Sequence, residues 1–198
     1  MGWQYLDAQL AQFYDRLITE VKISKEIAKN LASTIEIEVQ ALSFDEKNKI
    51  RDASPIPCTN RIDELKAFQG WMSRAFSMSD DPYVVRAQLI YQNCICFVYL
   101  REACFYALSK YCAAGTATKK CAKFLVSNPI RAFRNAVAHA NWMYRDDFRA
   151  ITYWARKGDS TEEKMDKFEV AQNDLRFWQA LSRCVAYVTF STINCGIL

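Results

Sequence analysis

The chain is poor in the residues that break helices and in the patterns that bind metals or phosphates. Five glycines and four prolines are few for 198 residues, and that scarcity favours long helices over a sheet-rich sandwich. A zinc site would want Cys-x-x-Cys or paired Cys/His spacing; neither occurs, and the chain has one histidine. A glycine-rich phosphate loop, a Gly-x-Ser-x-Gly elbow and a His-Glu-x-x-His pattern are absent as well. Long apolar runs are also missing. The most apolar stretch, Leu89 to Leu100, is interrupted by Gln92 and Asn93 and flanked by Arg86 and Arg101, which is too short and too polar for a bilayer span. The start, Met1 to Asp7, lacks the basic region and apolar core of a secretory signal. Leu6 stands where a myristoylation signal wants Ser or Thr. A cytoplasmic protein without membrane contact is expected.

The composition is that of one globular domain, residues 1–198, with 51% hydrophobic and 24% charged residues. A net charge of +4 permits a polyanionic partner without demonstrating one. Eight cysteines would form a disulfide framework in a small secreted domain. With no sign of secretion, they read as small buried hydrophobes, and Cys94 and Cys96 would point to different faces of a helix.

Periodicity is helical over most of the chain. Leu6, Leu10, Phe13, Leu17 and Val21 form one stripe, and Ile27, Leu31, Ile35 and Val39 a second, within a helical region from Trp3 to Ile50. Pro55 and Pro57 mark a loop between Arg51 and Asn60. Helix resumes through Ile62, Leu65, Phe68, Trp71, Met72 and Phe76. Ser79-Asp80-Asp81-Pro82 opens the next helix, from Tyr83 to Ala113, which is apolar on most faces and should be the most buried. Gly115 ends it. A short helix from Lys119 to Val126 follows, and Ser127-Asn128-Pro129 should cap and open another. After Tyr144 the period changes: Phe148 to Trp154 and Lys164 to Val170, around Gly158-Asp159-Ser160, suggest a β-hairpin. Asn173-Asp174 can cap a last helix carrying Leu175, Trp178, Leu181, Val185, Val188 and Phe190. The expected fold class is all-α, a bundle of four to six helices with a small hairpin inserted after the helix that opens at Pro129.

That helix holds the lone histidine, in Arg134-Asn135-Ala136-Val137-Ala138-His139. At about 100° per residue, Ile130, Phe133, Val137, Ala140 and Tyr144 gather on one side, which should face the core. Asn135, His139 and Trp142 fall opposite, with Arg131 and Arg134 at the edge and the small Ala138 among them. An imidazole, ordinarily titrating near about 6.5, can exchange protons at cell pH. A guanidinium can donate two parallel hydrogen bonds to a phosphate. Together they suit internal transesterification of RNA, in which the ribose 2′-hydroxyl attacks the adjacent phosphorus; DNA should be spared. Arg134 and His139 are thus the candidate catalytic pair, with Asn135 and Arg131 as candidate phosphate-binding residues and no metal or other cofactor. The competing reading makes His139 an ordinary surface histidine and Arg134 a solvated charge.

The segment Phe133-Arg134-Asn135-Ala136-Val137-Ala138-His139-Ala140-Asn141-Trp142 resembles the signature of the HEPN superfamily, compact helical proteins that include many toxin and antiviral ribonucleases. The resemblance implies a bundle of four or five helices and a homodimer in which two motif helices face each other across a composite site. RNA is the implied substrate, and an antitoxin or inhibitor protein a further partner. Some members are catalytically silent modules that bind a protein or RNA, and that is the alternative function here. In one branch a tyrosine two residues past the histidine is modified; this chain has Asn141 there, with Tyr144 beyond it. Trp142 could serve the dimer interface or lie under the hairpin. The adjacent carboxylates Asp80-Asp81, Asp146-Asp147 and Glu162-Glu163 read as solvated faces, while Lys119, Lys120 and Lys123 could touch RNA phosphates.

Overall fold

A computed structural model describes residues 2–53, 66–67, 70, 82–145, 149–156 and 164–195. The proline loop beyond residue 53, nearly all of the helix expected over 62–76, the three acidic pairs and the turn at Gly158-Asp159-Ser160 lie outside the described residues.

The region from Trp3 to Ile50 is divided into four helices: α1 (Gly2–Thr19), α2 (Lys25–Lys29), α3 (Leu31–Gln40) and α4 (Phe44–Arg51). Local capping chemistry sets these boundaries. Ser24 accepts a hydrogen bond from the Ile27 amide to start α2, and Ser43 and Glu46 close a capping box at the start of α4. The stripe read through α1 turns inward only towards its end: Leu17 is fully buried while Leu10 is exposed. Val21 lies beyond the helix but is buried.

The central helix begins at Pro82 and runs to Tyr111, but not as one regular α-helix. It opens as α5 (Pro82–Asn93), passes through two π-helical stretches, Cys94–Tyr99 and Arg101–Phe105, and closes as α6 (Tyr106–Tyr111). Each π turn inserts extra backbone into the helix and re-aims the side chains that follow, a distortion that clusters at functional sites. Cys96, Phe97, Leu100, Ala103, Cys104 and Phe105 are all buried, which makes this the middle of the core. Gly115, at φ +88°, turns the chain towards α7 (Ala117–Val126), whose N-cap Thr116 accepts from the Lys119 amide.

The motif helix α8 (Ile130–Ala138) is amphipathic, with Ile130, Phe133, Ala136 and Val137 buried. Its start differs from the expectation: neither Ser127 nor Asn128 caps it with a side chain, and Pro129 occupies the N-cap. The ring of Phe133 lies between the rings of Phe97 at 5.3 Å, Tyr153 at 5.4 Å and Trp178 at 6.0 Å. A buried aromatic cluster of this kind is worth several kcal/mol of stability, roughly 3–5 for removal of one ring.

The helical expectation holds, and the sheet is one strand larger than the hairpin expected after α8. The protein is mostly helical but carries a three-stranded antiparallel sheet. The hairpin is β2 (Ala150–Ala155) against β3 (Asp166–Ala171), with Tyr153 opposite Phe168. Preceding both, β1 (Trp142–Tyr144) pairs along the other edge of β2, Trp142 opposite Tyr153. Ile151, Tyr153 and Val170 bury one face of the sheet in the core. The last helix, α9 (Gln172–Cys195), follows β3 directly. It starts earlier than expected, so Asn173 and Asp174 sit in its first turn, where the Asp174 carboxylate meets Arg16 at 2.8 Å. No helix of the described residues is long and apolar enough to cross a membrane.

Candidate functional site

The amphipathic pattern of α8 decides which motif side chains can reach a ligand. Phe133 and Val137 point into the core. Arg131, Arg134 and Asn135 are half-buried, and Ala138 and His139 are exposed. Arg134, Asn135 and His139 are thus kept out of the apolar interior by the residues between them.

His139 is the C-cap of the helix rather than a residue within it. Ala140 follows in the left-handed region at φ 56°. The Asn141 amide donates to the Ala136 carbonyl at 2.8 Å and the Ala140 amide to the Val137 carbonyl at 3.3 Å, the pairing of a Schellman ending. Two expectations change as a result. Ala140 is exposed instead of core-facing, and Trp142 and Tyr144 leave the helix for β1. Trp142 packs half-buried against the core, its ring 5.6 Å from that of Tyr144. Burial raises the Tyr144 pKa, partly offset by a hydrogen bond with Asn93 of the central helix.

Arg134 is held by two partners. Its Nη1 donates to Asn135 Oδ1 at 2.9 Å and its Nη2 to Glu102 Oε1 at 2.7 Å. Asn135 therefore orients the guanidinium with its side-chain carbonyl oxygen. Glu102 lies in the second π-helical stretch, and its Oε1 also accepts from Nη1 of the adjacent Arg101. Arg101 in turn lies 5.8 Å from the centre of the Tyr106 ring, within cation–π range. Two guanidiniums thus converge on one carboxylate oxygen, leaving an excess of positive charge. Partial burial, and then the charge of Arg101, lower the Arg134 pKa, with Glu102 acting in the opposite direction. A guanidinium stays protonated even so.

Sequence reasoning missed Arg101 and Glu102. Arg101 figured only as a flank of the apolar stretch, and Glu102 lies 32 residues before Arg134. The available signal was their position: charged residues in the most buried helix need a partner. The lysines of the α7 region have their own ties. Lys119 donates to the Cys112 carbonyl at 2.7 Å and Lys120 to the Lys22 carbonyl at 2.9 Å.

The described cysteines behave as packing groups. Cys96, Cys104, Cys112 and Cys121 are buried. Burial pushes the thiols of Cys96 and Cys121 up to about 12 and that of Cys112 to about 11, far from a reactive thiolate. A groove of about 860 Å³ runs between α1 and α9, lined by Leu10, Phe13, Arg16, Arg176, Phe177 and Arg183 among others. None of the motif residues lines it.

Comparison with protein-family models, with curated proteins and with solved structures finds no match.

Proposed function

We propose that this chain is a metal-independent endoribonuclease of the HEPN type, acting as a toxin or defence effector. The observation that carries the reading is the division of α8. One side is sealed into the core by Ile130, Phe133 and Val137, while the other presents Arg134, Asn135 and an exposed His139. In this reaction the 2′-oxygen bonds to phosphorus, the bond from phosphorus to the 5′-oxygen breaks, and a 2′,3′-cyclic phosphate forms. His139 removes the 2′-hydroxyl proton, a general-base role worth roughly 10²–10⁴ in rate. Arg134 holds the non-bridging phosphate oxygens as their charge rises, and Asn135 fixes the guanidinium.

Protonating the departing 5′-oxygen is a second task, and each chain has one imidazole. A homodimer with two motif faces across one groove supplies the other, since isologous contacts bring like patches together. Exposed Ala138, with no bulk beyond its methyl group, lets the two faces approach.

Incubation of purified protein with RNA and DNA in excess chelator tests the reading. RNA should be cut to cyclic-phosphate ends and DNA left whole, and H139A should be inactive while keeping its melting temperature. Strict dependence on a divalent cation would overturn the mechanism. Binding of RNA or of a protein partner without any cleavage would make the chain a non-catalytic module instead.

A further inference from the structure

We propose that Arg101 and Arg134 form a paired guanidinium site for an RNA phosphodiester, with Glu102 as the internal anion that fills it until a phosphate takes its place. The inference rests on the ribonuclease reading and adds a substrate-binding residue to it.

The two arginines come from different elements. Arg134 is on α8, and Arg101 opens the second π-helical stretch of the central helix. What brings them together is a single oxygen, Glu102 Oε1, which accepts from Nη2 of Arg134 at 2.7 Å and from Nη1 of Arg101. One carboxylate is a poor match for two forks. The Nε atoms of both arginines are buried and find no hydrogen-bond partner among the described residues. A phosphodiester offers two non-bridging oxygens, one for each guanidinium, and fork-to-phosphate geometry is the pairing arginine favours.

Exposure sets the order of exchange. The arginine side chains are 21% and 22% exposed, whereas Glu102 is 46% exposed. The cations are anchored, Arg134 by Asn135 and Arg101 against the Tyr106 ring, while the carboxylate is the member free to swing into solvent. Its departure opens a doubly cationic pocket on the rim of the face that carries His139. Without a ligand, Glu102 keeps like charges from repelling each other; with RNA present, it competes with the phosphate.

The test is equilibrium binding of a single-stranded 2′-O-methyl RNA, which lacks the attacking hydroxyl and so cannot be consumed, followed by fluorescence anisotropy over a range of salt. R101Q should weaken binding about tenfold at low salt and flatten the dependence of log K on log salt by about 0.7, one phosphate contact on a single strand. E102Q should tighten binding about threefold or more. R101K keeps the charge and loses the fork, so it should fall between wild type and R101Q; it also serves should R101Q not fold, as judged by melting temperature. If wild type binds and cleaves RNA while R101Q, R101K and E102Q match it in affinity and salt slope, the paired site is wrong and the ribonuclease reading stands. If wild type fails to bind RNA but E102Q captures inorganic phosphate and R101Q does not, the paired arginines remain an anion site and the RNA assignment falls.

Discussion

Among the described residues, Glu38 and Glu102 each reach from one helix to another, with opposite degrees of satisfaction. Glu38 of α3 meets the start of α7: one carboxylate oxygen accepts from the Ala117 amide at 2.9 Å, the other from the Thr118 amide at 2.7 Å and the Thr118 hydroxyl at 2.6 Å. Those amides have no partner within the helix, and the positive end of the helix dipole favours the charge. Glu102, beside the motif helix, faces two guanidiniums that carry more donors than it can serve. The first contact is complete and holds the fold together. The second leaves buried donors unmet, and an incomplete polar site of that kind is suited to a ligand. The same residue type thus acts as a structural clip in one place and as a replaceable stand-in in the other.

Substitutions can break that comparison, and the largest effect should come from the clip. E38Q exchanges a charged acceptor for an amide that presents its own N–H groups, and should cost about 2–3 kcal/mol in denaturant unfolding. T118V removes one hydroxyl donor at a fully buried position and should cost about 1–2 kcal/mol by the same measurement. On the motif side the effects are smaller. A140G relieves the left-handed alanine after His139 and should raise stability by about 0.5–1 kcal/mol, read as a higher melting temperature. E102Q should cost less than E38Q, about 0.5–1 kcal/mol, because the carboxylate itself is half-exposed although the two guanidiniums it separates are mostly buried. Should E102Q destabilise the protein as much as E38Q, the two carboxylates would be equivalent clips and the distinction would be lost.

Parts of this were legible in the sequence because they depend on local pattern. The spacing of Ile130, Phe133 and Val137 gave the buried side of the motif helix, and alternation within 148–154 and 164–170 gave the two strands of the hairpin. The end of the motif helix was not legible. Ala138 and Ala140 are good helix formers, and no glycine or proline marks the stop, so the period read on through Trp142 to Tyr144. In the folded protein, pairing of Trp142–Tyr144 with β2 outweighs that local preference. Glu38 and Glu102 were hidden for a different reason. Their partners lie 79 or 80 and 32 residues along the chain, and each looks like an ordinary surface charge until the helices pack. Arg134 and His139 were found as residue types in a known spacing, but what holds the arginine depends on the tertiary fold.

The central claim is that the exposed face of α8 cleaves RNA by attack of the 2′-hydroxyl. The most direct measurement uses an RNA oligonucleotide that wild-type protein cuts, resynthesised with a single 2′-deoxy nucleotide on the 5′ side of the cut linkage and incubated in excess chelator. Cleavage at that linkage should disappear while other susceptible linkages are still cut to cyclic-phosphate ends, and H139A should cut neither substrate. Equal cutting of the deoxy-substituted linkage, or undiminished cutting by H139A, would contradict the mechanism.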